Sequence, residues 1–242
     1  MKTVLITGAN RSIGFETAKQ MAEAGYFVYV GSRNKSKGDD AVKKLHEAGF
    51  TQTESLGIDV SDPESVQQSA KVLASKIESL DVLINNAGIL GDLPQIPSEV
   101  SIENIKHVFD TNVHGVIRTT QAFLPLLKKS EAPRIVNVSS ELGSLTLQSD
   151  SYWEKYDRVK QFAVYNISKS ALNAYTVALA YELRGTPFKI NSVTPGHTAT
   201  DFNNYNGSKT VEEGARPIVK FATLPAEGQT GGFFKDEGEV AW

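Results

Sequence analysis

Two side chains in the second half of the chain could carry proton chemistry. Tyr165 and Lys169 lie four residues apart in a helix-forming stretch, so they share one helix face. A tyrosine phenol has a reference pKa of about 10, and a neighbouring ammonium favours the phenolate and lowers that pKa. The spacing therefore predicts a tyrosine that can give or take a proton near neutral pH. Such a pair is also common on ordinary helix surfaces, so a catalytic role needs support from other motifs in the chain.

The N-terminal segment has the pattern of a phosphate-binding turn. Residues 3–7 form an apolar, β-branched run typical of a buried parallel strand, and residues 7–14 read TGANRSIG. A helical pattern follows up to Gly25, and residues 26–30 form a second strand-like run. This order is that of a βαβ dinucleotide unit, in which the free amides at the helix start suit a pyrophosphate. A glycine turn that merely connects a strand to a helix is the alternative.

Three more polar segments each come directly after a strand-like run. They are the NNAG of residues 85–88, the pair Ser139 and Ser140, and the PGHTAT of residues 195–200. Ligands of parallel α/β sheets bind beyond the carboxyl ends of the strands. We therefore expect all these segments at one ligand-binding edge of a sheet.

Together these motifs resemble those of the short-chain dehydrogenases/reductases. The N-terminal turn is similar to the family's T-G-x-x-x-G-x-G, with Ser12 in place of the middle glycine. Residues 85–88 and 195–200 match its N-N-A-G and P-G-x-x-x-T, and the tyrosine–lysine pair matches its Y-x-x-x-K. The resemblance covers essentially the whole chain. It implies an α/β fold over residues 1–242, a single-domain, Rossmann-type doubly wound parallel sheet with helices on both faces.

The alternation of strand and helix patterns independently favours parallel strands with right-handed crossovers. Beyond the first βαβ unit, helices are predicted near residues 38–48, 63–78, 101–129, 163–184 and 211–222. Further strands are predicted near residues 53–58, 81–84, 134–138, 188–193 and 232–234.

Composition argues against several classes of function. The formal net charge of −3 and the pI near 5.9 do not suit a nucleic-acid-binding surface, and no apolar stretch approaches the length of a membrane span. Cysteine is absent, which fits a reducing compartment, and the first residues lack a secretory signal pattern. None of the four histidines has the spacing of a metal pair. We therefore expect a cytoplasmic protein without a metal or a nucleic-acid partner.

The end of the second strand-like run indicates the cofactor. NAD enzymes usually place an acid there to hold the ribose 2′-hydroxyl, whereas this chain has Arg33 and no acid. Arg33 could pair with a 2′-phosphate, and Arg11 in the glycine turn could reach the same corner, so NADP(H) is predicted. Two solvated surface arginines are the alternative. By resemblance, Asp59 and Val60 contact the adenine, although Asp59 could equally cap the next helix.

The resemblance assigns roles to four catalytic candidates. Tyr165 is the acid in reduction and the base in oxidation, while Lys169 lowers its pKa and bonds the nicotinamide ribose. Ser140 donates a hydrogen bond to the carbonyl oxygen of the substrate. Asn112 holds a water against the lysine and completes a proton relay, or else it kinks or caps the long predicted helix.

The resemblance also defines the expected cofactor-binding residues. Thr200 and the backbone of Thr198 are expected to hold the nicotinamide carboxamide. The full predicted set is Gly8, Asn10, Arg11, Ser12, Ile13, Gly14, Arg33, Asp59, Val60, Asn86, Ala87, Gly88, Tyr165, Lys169, Pro195, Gly196, Thr198 and Thr200.

The spacing between Ser140 and Tyr165 is larger than is usual in the family. The extra segment, at about residues 147–160, has the period of a short amphipathic helix. An insertion at this place, like the C-terminal sequence, resembles the carbonyl-reductase branch, in which it covers a tetramer surface. A monomer is therefore expected, and a surface elaboration without effect on assembly is the alternative.

The candidate substrate contacts are Leu142, Trp153, Phe202 and Tyr205, which are apolar or aromatic. No Arg or Lys is obviously placed for a substrate carboxylate or phosphate, so we expect a neutral ketone or aldehyde. The predicted reaction is its reversible, NADPH-dependent reduction to the alcohol. A non-catalytic NADPH-binding sensor and a physiological alcohol dehydrogenase are the alternatives.

Overall fold

The strands of the chain join in one eight-stranded sheet, in a computed structural model that describes residues 1–149 and 162–242. The strands are β1 (Thr3–Ile6), β2 (Phe27–Ser32), β3 (Thr53–Gly57), β4 (Val82–Asn85), β5 (Arg134–Val138), β6 (Lys189–Val193), β7 (Phe233–Lys235) and β8 (Gly238–Glu239). Their order is β3-β2-β1-β4-β5-β6-β7-β8, with every pair parallel except β7 and β8.

Helices alternate with these strands along the described parts of the chain. They are α1 (Ser12–Glu23), α2 (Lys35–Glu47), α3 (Pro63–Ala74), α4 (Ile102–Phe109), α5 (Gly115–Leu127), α6 (Leu145–Ser149), α7 (Ala163–Glu182) and α8 (Val211–Ala222). A π-helical turn at Asp110–His114 joins α4 to α5, and single 3₁₀ turns form at Glu141–Gly143 and Asp201–Asn203.

The sheet divides the core into two apolar layers. Successive strand residues point to opposite faces, so Val4 and Ile6 pack in one layer and Leu5 packs in the other. The first layer includes Met21 of α1 and Ile218 of α8, whereas α3, α5 and α7 cover the other face. Fully burying one such aliphatic side chain is worth about 1.5–3 kcal/mol, so both faces hold the sheet firmly.

The carboxyl ends of β1 and β4 meet at the point where the strand order reverses. The N–H of Thr7 donates to the carbonyl of Ile84 at 3.0 Å, so the segments after these two strands start side by side. Such a reversal opens a crevice at the sheet edge, which is the usual ligand site of open α/β sheets.

The expected fold class is confirmed, with differences in detail. Helix α2 starts at Lys35, earlier than predicted, because the side chain of Asn34 accepts from the N–H of Lys37 at 3.0 Å and caps it. The single helix predicted over 101–129 is interrupted by the π turn, and the β7–β8 hairpin extends the strand predicted near 232–234. No helix among residues 1–149 and 162–242 is long and apolar enough to cross a membrane.

The insertion expected at about 147–160 falls only partly within the described residues. Helix α6 occupies its start, and residues 150–161 lie outside the part that the structure describes. The amphipathic helix expected there therefore stays a prediction.

Candidate active site

The glycine turn between β1 and α1 has the shape of an anion-binding loop. Gly8 has φ +64°, and Ser12 also lies in the left-handed region at φ +50°. Arg11 occupies the N-cap position of α1 without a side-chain cap bond, so the first amides of the helix keep their donors for a ligand. Asn10 and Ile13 are half-buried in the same turn.

Gly14 lets the start of α1 approach the neighbouring segments closely. A Cβ at this position would lie 2.4 Å from the carbonyl oxygen of Gly8 and 2.5 Å from Nδ2 of Asn86. Both distances are far inside van der Waals contact, so only glycine fits without moving the turn. A side chain here would push the free amides of α1 away from the crevice.

The NNAG segment fastens this turn to β4. Nδ2 of Asn86 donates to the carbonyls of Thr7 at 2.9 Å and Gly8 at 3.2 Å. The backbone N–H groups of Asn86 and Ala87 both donate to Oγ1 of Thr7 at 3.0 Å. The crevice at the β1–β4 reversal therefore has walls that are hydrogen-bonded to each other, as a preformed binding site requires.

Asn112 lies in the π turn and is fully buried. Its Nδ2 donates to the carbonyl of Ile89 at 2.9 Å and to Oγ of Ser168 at 3.0 Å, and its Oδ1 accepts from the N–H of Ile89 at 2.9 Å. A Cβ on Gly88 would lie 3.3 Å from Oδ1 of Asn112 and 3.6 Å from Nζ of Lys169. The two side chains thus flank Gly88, and Asn112 also lies where the helix is distorted, whereas its place in a proton relay stays a prediction.

Ser140, Tyr165 and Lys169 come together at the carboxyl end of β5. Ser140 precedes the 3₁₀ turn, and its side chain lies close enough to the hydroxyl of Tyr165 to lower the pKa of that group in part. Nζ of Lys169 lies 5.6 Å from the centre of the Tyr165 ring and donates to the carbonyl of Val138 at 2.8 Å. Ser140 is half-buried whereas Ser139 is buried, which agrees with choosing Ser140 as the candidate that faces a substrate.

The pKa of Tyr165 differs in direction from the sequence-based expectation. Burial of the hydroxyl raises its pKa to about 12, and the hydrogen bond from Ser140 lowers it only in part. Burial also lowers the pKa of Lys169 to about 8. Both shifts have one physical cause, because a low-dielectric environment disfavours the charged form of either group. The expected lowering of the Tyr165 pKa is therefore wrong for this structure, where desolvation is the largest cause of the shift.

The two arginines expected near a 2′-phosphate lie in different surroundings. Arg33 is exposed at the end of β2, as that role requires. Arg11 instead pairs with the carboxylate of Asp201, which also accepts a hydrogen bond from Ser12. Charge attraction thus draws Arg11 toward the segment after β6, and of the two only Arg33 is left free of an ion pair among the described residues.

Asp59 is not the cap of α3. That role belongs to Asp62, whose side chain accepts from the N–H of Glu64 at 2.9 Å. Asp59 accepts from the backbone N–H of Ser61 at 3.0 Å and stays half-buried, while Val60 is buried. The helix-cap alternative for Asp59 is therefore wrong, and the adenine contact stays a prediction.

The segment after β6 holds Thr198 more tightly than expected. Beyond Pro195 and Gly196, its N–H donates to the carbonyl of Gly196 at 2.9 Å. Its carbonyl accepts from Nδ2 of Asn203 at 2.9 Å. The backbone groups expected to hold a carboxamide already have partners, so such a contact would require a rearrangement of this segment. Thr200 is buried, and its N–H donates to Oδ1 of Asn203 at 3.1 Å.

The predicted substrate residues are spread around the catalytic group. The ring centre of Phe202 lies 5.6 Å from that of Tyr165, and Leu142 lies two residues after Ser140 in the 3₁₀ turn. Tyr205 is 72% exposed, which makes it a rim residue at most. Trp153 lies outside the described residues.

Two contacts of the site were missed by sequence reasoning. Asp201 joins the glycine turn to the segment after β6, and its position directly after the P-G-x-x-x-T motif was the available signal. The carbonyl of Val138 binds the lysine, and no sequence signal marks a backbone group.

The residues present fit a phosphorylated dinucleotide. The turn offers free helix amides, and Gly14 lets the start of α1 pack closely on Gly8 and Asn86. Arg33 supplies a cation at the end of β2, where such folds place the residue that contacts the 2′ position of the ribose. The tyrosine–serine pair lies along the same sheet edge, at the end of β5. The arrangement can therefore hold a redox dinucleotide and deliver a proton beside it.

Known proteins share both the sequence pattern and the fold. A family model for short chain dehydrogenase matches residues 2–210. A (+)-neomenthol dehydrogenase of Capsicum annuum is 34% identical, with 95% of this chain and 94% of that protein covered. The solved structure of an NADPH-bound carbonyl reductase from chicken fatty liver has a TM-score of 0.85 at 27% identity, covering 100% and 99% of the two chains. A short chain dehydrogenase of Escherichia coli CFT073 complexed with NADPH has a TM-score of 0.84 at 28% identity, covering 97% and 95%.

Proposed function

This chain belongs to the short-chain dehydrogenase family of oxidoreductases, and from that premise we propose that it reduces a neutral ketone or aldehyde to the alcohol. NADP(H) is the cofactor, as supported by the family and by the two similar structures that hold NADPH. The observation that carries the proposal is that the side chain of Ser140 lies beside the Tyr165 hydroxyl, with Lys169 on the next helical turn.

The work of the reaction would be divided between the cofactor and four side chains. Bound NADPH supplies a hydride to the carbonyl carbon. Ser140 and Tyr165 donate hydrogen bonds to the carbonyl oxygen, which gains negative charge as the reaction proceeds. The Tyr165 hydroxyl then transfers its proton to that oxygen, and the nearby Lys169 ammonium stabilises the resulting phenolate. Asn112 holds the Ile89 backbone and Ser168 behind the lysine and keeps this side of the site in place.

Reduction is the direction that we propose, and the protonation state of Tyr165 is compatible with it. A tyrosine whose pKa is raised to about 12 keeps its proton at neutral pH and is ready to act as an acid. Alcohol oxidation needs the phenolate instead, which this environment disfavours. The similarity of the structure to a carbonyl reductase supports the same direction.

The substrate is proposed to be neutral and partly apolar. The ring of Phe202 lies beside that of Tyr165, Leu142 lies in the turn after Ser140, and the similarity to a neomenthol dehydrogenase and to a carbonyl reductase supports an uncharged carbonyl compound. The protein is also proposed to be a monomer, and light scattering on the intact protein tests this directly.

The testing experiment is NADPH oxidation with a panel of neutral ketones and aldehydes, run with the native chain and with Tyr165→Phe. The variant loses the proton donor, so kcat should fall by about 10²- to 10⁴-fold while NADPH still binds. NADPH binding without turnover of any carbonyl by the native chain would overturn the reductase proposal.

A further inference from the structure

The first turn of α7 is capped by a distant residue. Phe162 occupies its N-cap position and makes no side-chain cap bond, and Tyr165 is the third residue of the helix. Amides of a first helical turn have no partner within their own helix. Here the side chain of Gln95 supplies one, because its Oε1 accepts from the N–H of Tyr165 at 3.0 Å.

Gln95 is fully buried, and both ends of its amide are used. Its Nε2 donates to the carbonyl of Leu90 at 2.6 Å. Its backbone carbonyl accepts from the N–H of Ala163 at 3.3 Å, beside a parallel bridge between Gln95 and Phe162. A single residue of the segment after β4 therefore holds both Ala163 and Tyr165 in place.

We propose that Gln95 is a positioning residue for Tyr165. The backbone of Tyr165 sets where its hydroxyl lies relative to Ser140, because a helical side chain has few allowed rotamers. A first turn released from Gln95 would let that hydroxyl move, and a displacement of about 1 Å can cost about 100-fold in rate. Gln95 acts through the backbone and does not contact the reacting hydroxyl. This inference rests on the proposed reductase function and on the place of Tyr165 in it.

Asn104 offers a matched control in the same segment. Its Oδ1 accepts from the N–H of Asp92 at 3.1 Å, and its Nδ2 donates to the carbonyl of Asp92 at 2.8 Å. This amide is also buried and anchors the same loop, yet the bonds described for it reach Asp92 and not α7. Replacing Asn104 therefore removes none of the hydrogen bonds that join Gln95 to α7.

The test compares Gln95→Met with Asn104→Leu, since each keeps the side-chain size and removes the amide. Both variants should lose a similar amount of thermal stability. For Gln95→Met, kcat should fall about 100-fold while the Kd of NADPH changes less than about twofold. For Asn104→Leu, kcat should stay within about threefold of the native value. Gln95→Asn, whose side chain is too short to hold both partners, replaces Gln95→Met if that variant does not fold.

Hydrogen exchange at the Tyr165 amide provides a readout that does not depend on turnover. Protection of this amide should be lost in the Gln95 variant and kept in the Asn104 variant. Equal losses of kcat in the two variants, or an amide that stays protected without Gln95, would overturn the positioning role. If the native chain turns over no carbonyl but the exchange result is as expected, the proposed reaction fails and the structural role of Gln95 stands.

Discussion

Tyr165 and Lys169 are close in space, and burial shifts the pKa of each group in the direction that favours its neutral form. The pKa of Tyr165 rises to about 12 and that of Lys169 falls to about 8. At neutral pH the tyrosine keeps its proton, and the lysine is charged but close to losing its charge. A developing alkoxide on a substrate would be more basic than the phenolate, so the proton moves only when the reaction creates that charge. In the proposed reaction, these two residues would thus release a proton only as the alkoxide forms.

The proposed selection of NADP(H) would rest on one residue, Arg33, because Arg11 is held by Asp201. We expect Arg33→Asp to weaken NADPH binding by about 10- to 100-fold, the worth of one charge-assisted hydrogen bond, and to leave NADH binding within about threefold. Fluorescence titration with both cofactors measures this. Arg216→Asp makes the same charge change on the exposed face of α8 and should leave the preference unaltered. An unchanged NADPH preference in Arg33→Asp would remove the 2′-phosphate role from this residue.

At the scale of elements, the 3₁₀ turn next to Ser140 is packed directly on α7. A Cβ on Gly143 would lie 2.8 Å from the backbone carbon and from the Cβ of Lys169. The carbonyl of Gly143 also accepts from Oγ of Ser170 at 2.9 Å. The spacing of the serine from the tyrosine is therefore set by how closely one turn approaches one helix.

This contact predicts the effect of Gly143→Ala. The added methyl must push the turn off α7, which separates the Ser140 hydroxyl from Tyr165 and should lower kcat by about 10- to 100-fold. Steady-state kinetics with NADPH measures the loss, and the melting temperature should fall as well. Gly57→Ala on β3 is the control, since a Cβ there meets nothing within 4 Å. A kcat that survives in Gly143→Ala would show that the turn can shift without cost.

Elements were easier to predict from the sequence than the contacts between them. Strand runs and glycine turns have local signals, so the parallel sheet and the place of Tyr165 at its edge can be predicted from pattern alone. The π turn at Asp110–His114 has no such signal, and neither has the hydrogen bond that Asn112 accepts from Ile89 across the site. The same holds for Arg11, whose direction is decided by Asp201, 190 positions further along the chain.

On the scale of the whole molecule, the candidate site is separate from the two apolar layers that stabilise the sheet. Both layers are built from strand and helix interiors, whereas the site is built from segments at the carboxyl ends of the strands. Lys169 is the exception, because it extends from the buried side of α7 and is itself only 5% exposed. A buried ammonium is costly to stability, and here the cost depends on pH.

That dependence gives a prediction for Lys169→Met. The pKa of Lys169 is about 8 in the folded chain, below its ordinary value of 10.5. As pH rises between these values, the folded lysine is already neutral while the unfolded one still binds a proton, so the free energy of unfolding of the native chain rises. Relative to Lys169→Met, which cannot titrate, the native chain should gain about 2–3 kcal/mol between about pH 7 and pH 10.

Urea unfolding of both proteins at several pH values measures this difference, and the subtraction cancels the titration of the groups that they share. Lys106→Met, which removes an exposed ammonium from α4, should differ from the native chain by less than about 0.5 kcal/mol throughout. A difference between the native chain and Lys169→Met that stays flat with pH would mean that Lys169 is well solvated. The lysine would then be charged at all working pH values, and its proximity to Tyr165 rather than its burial would govern the proton transfer.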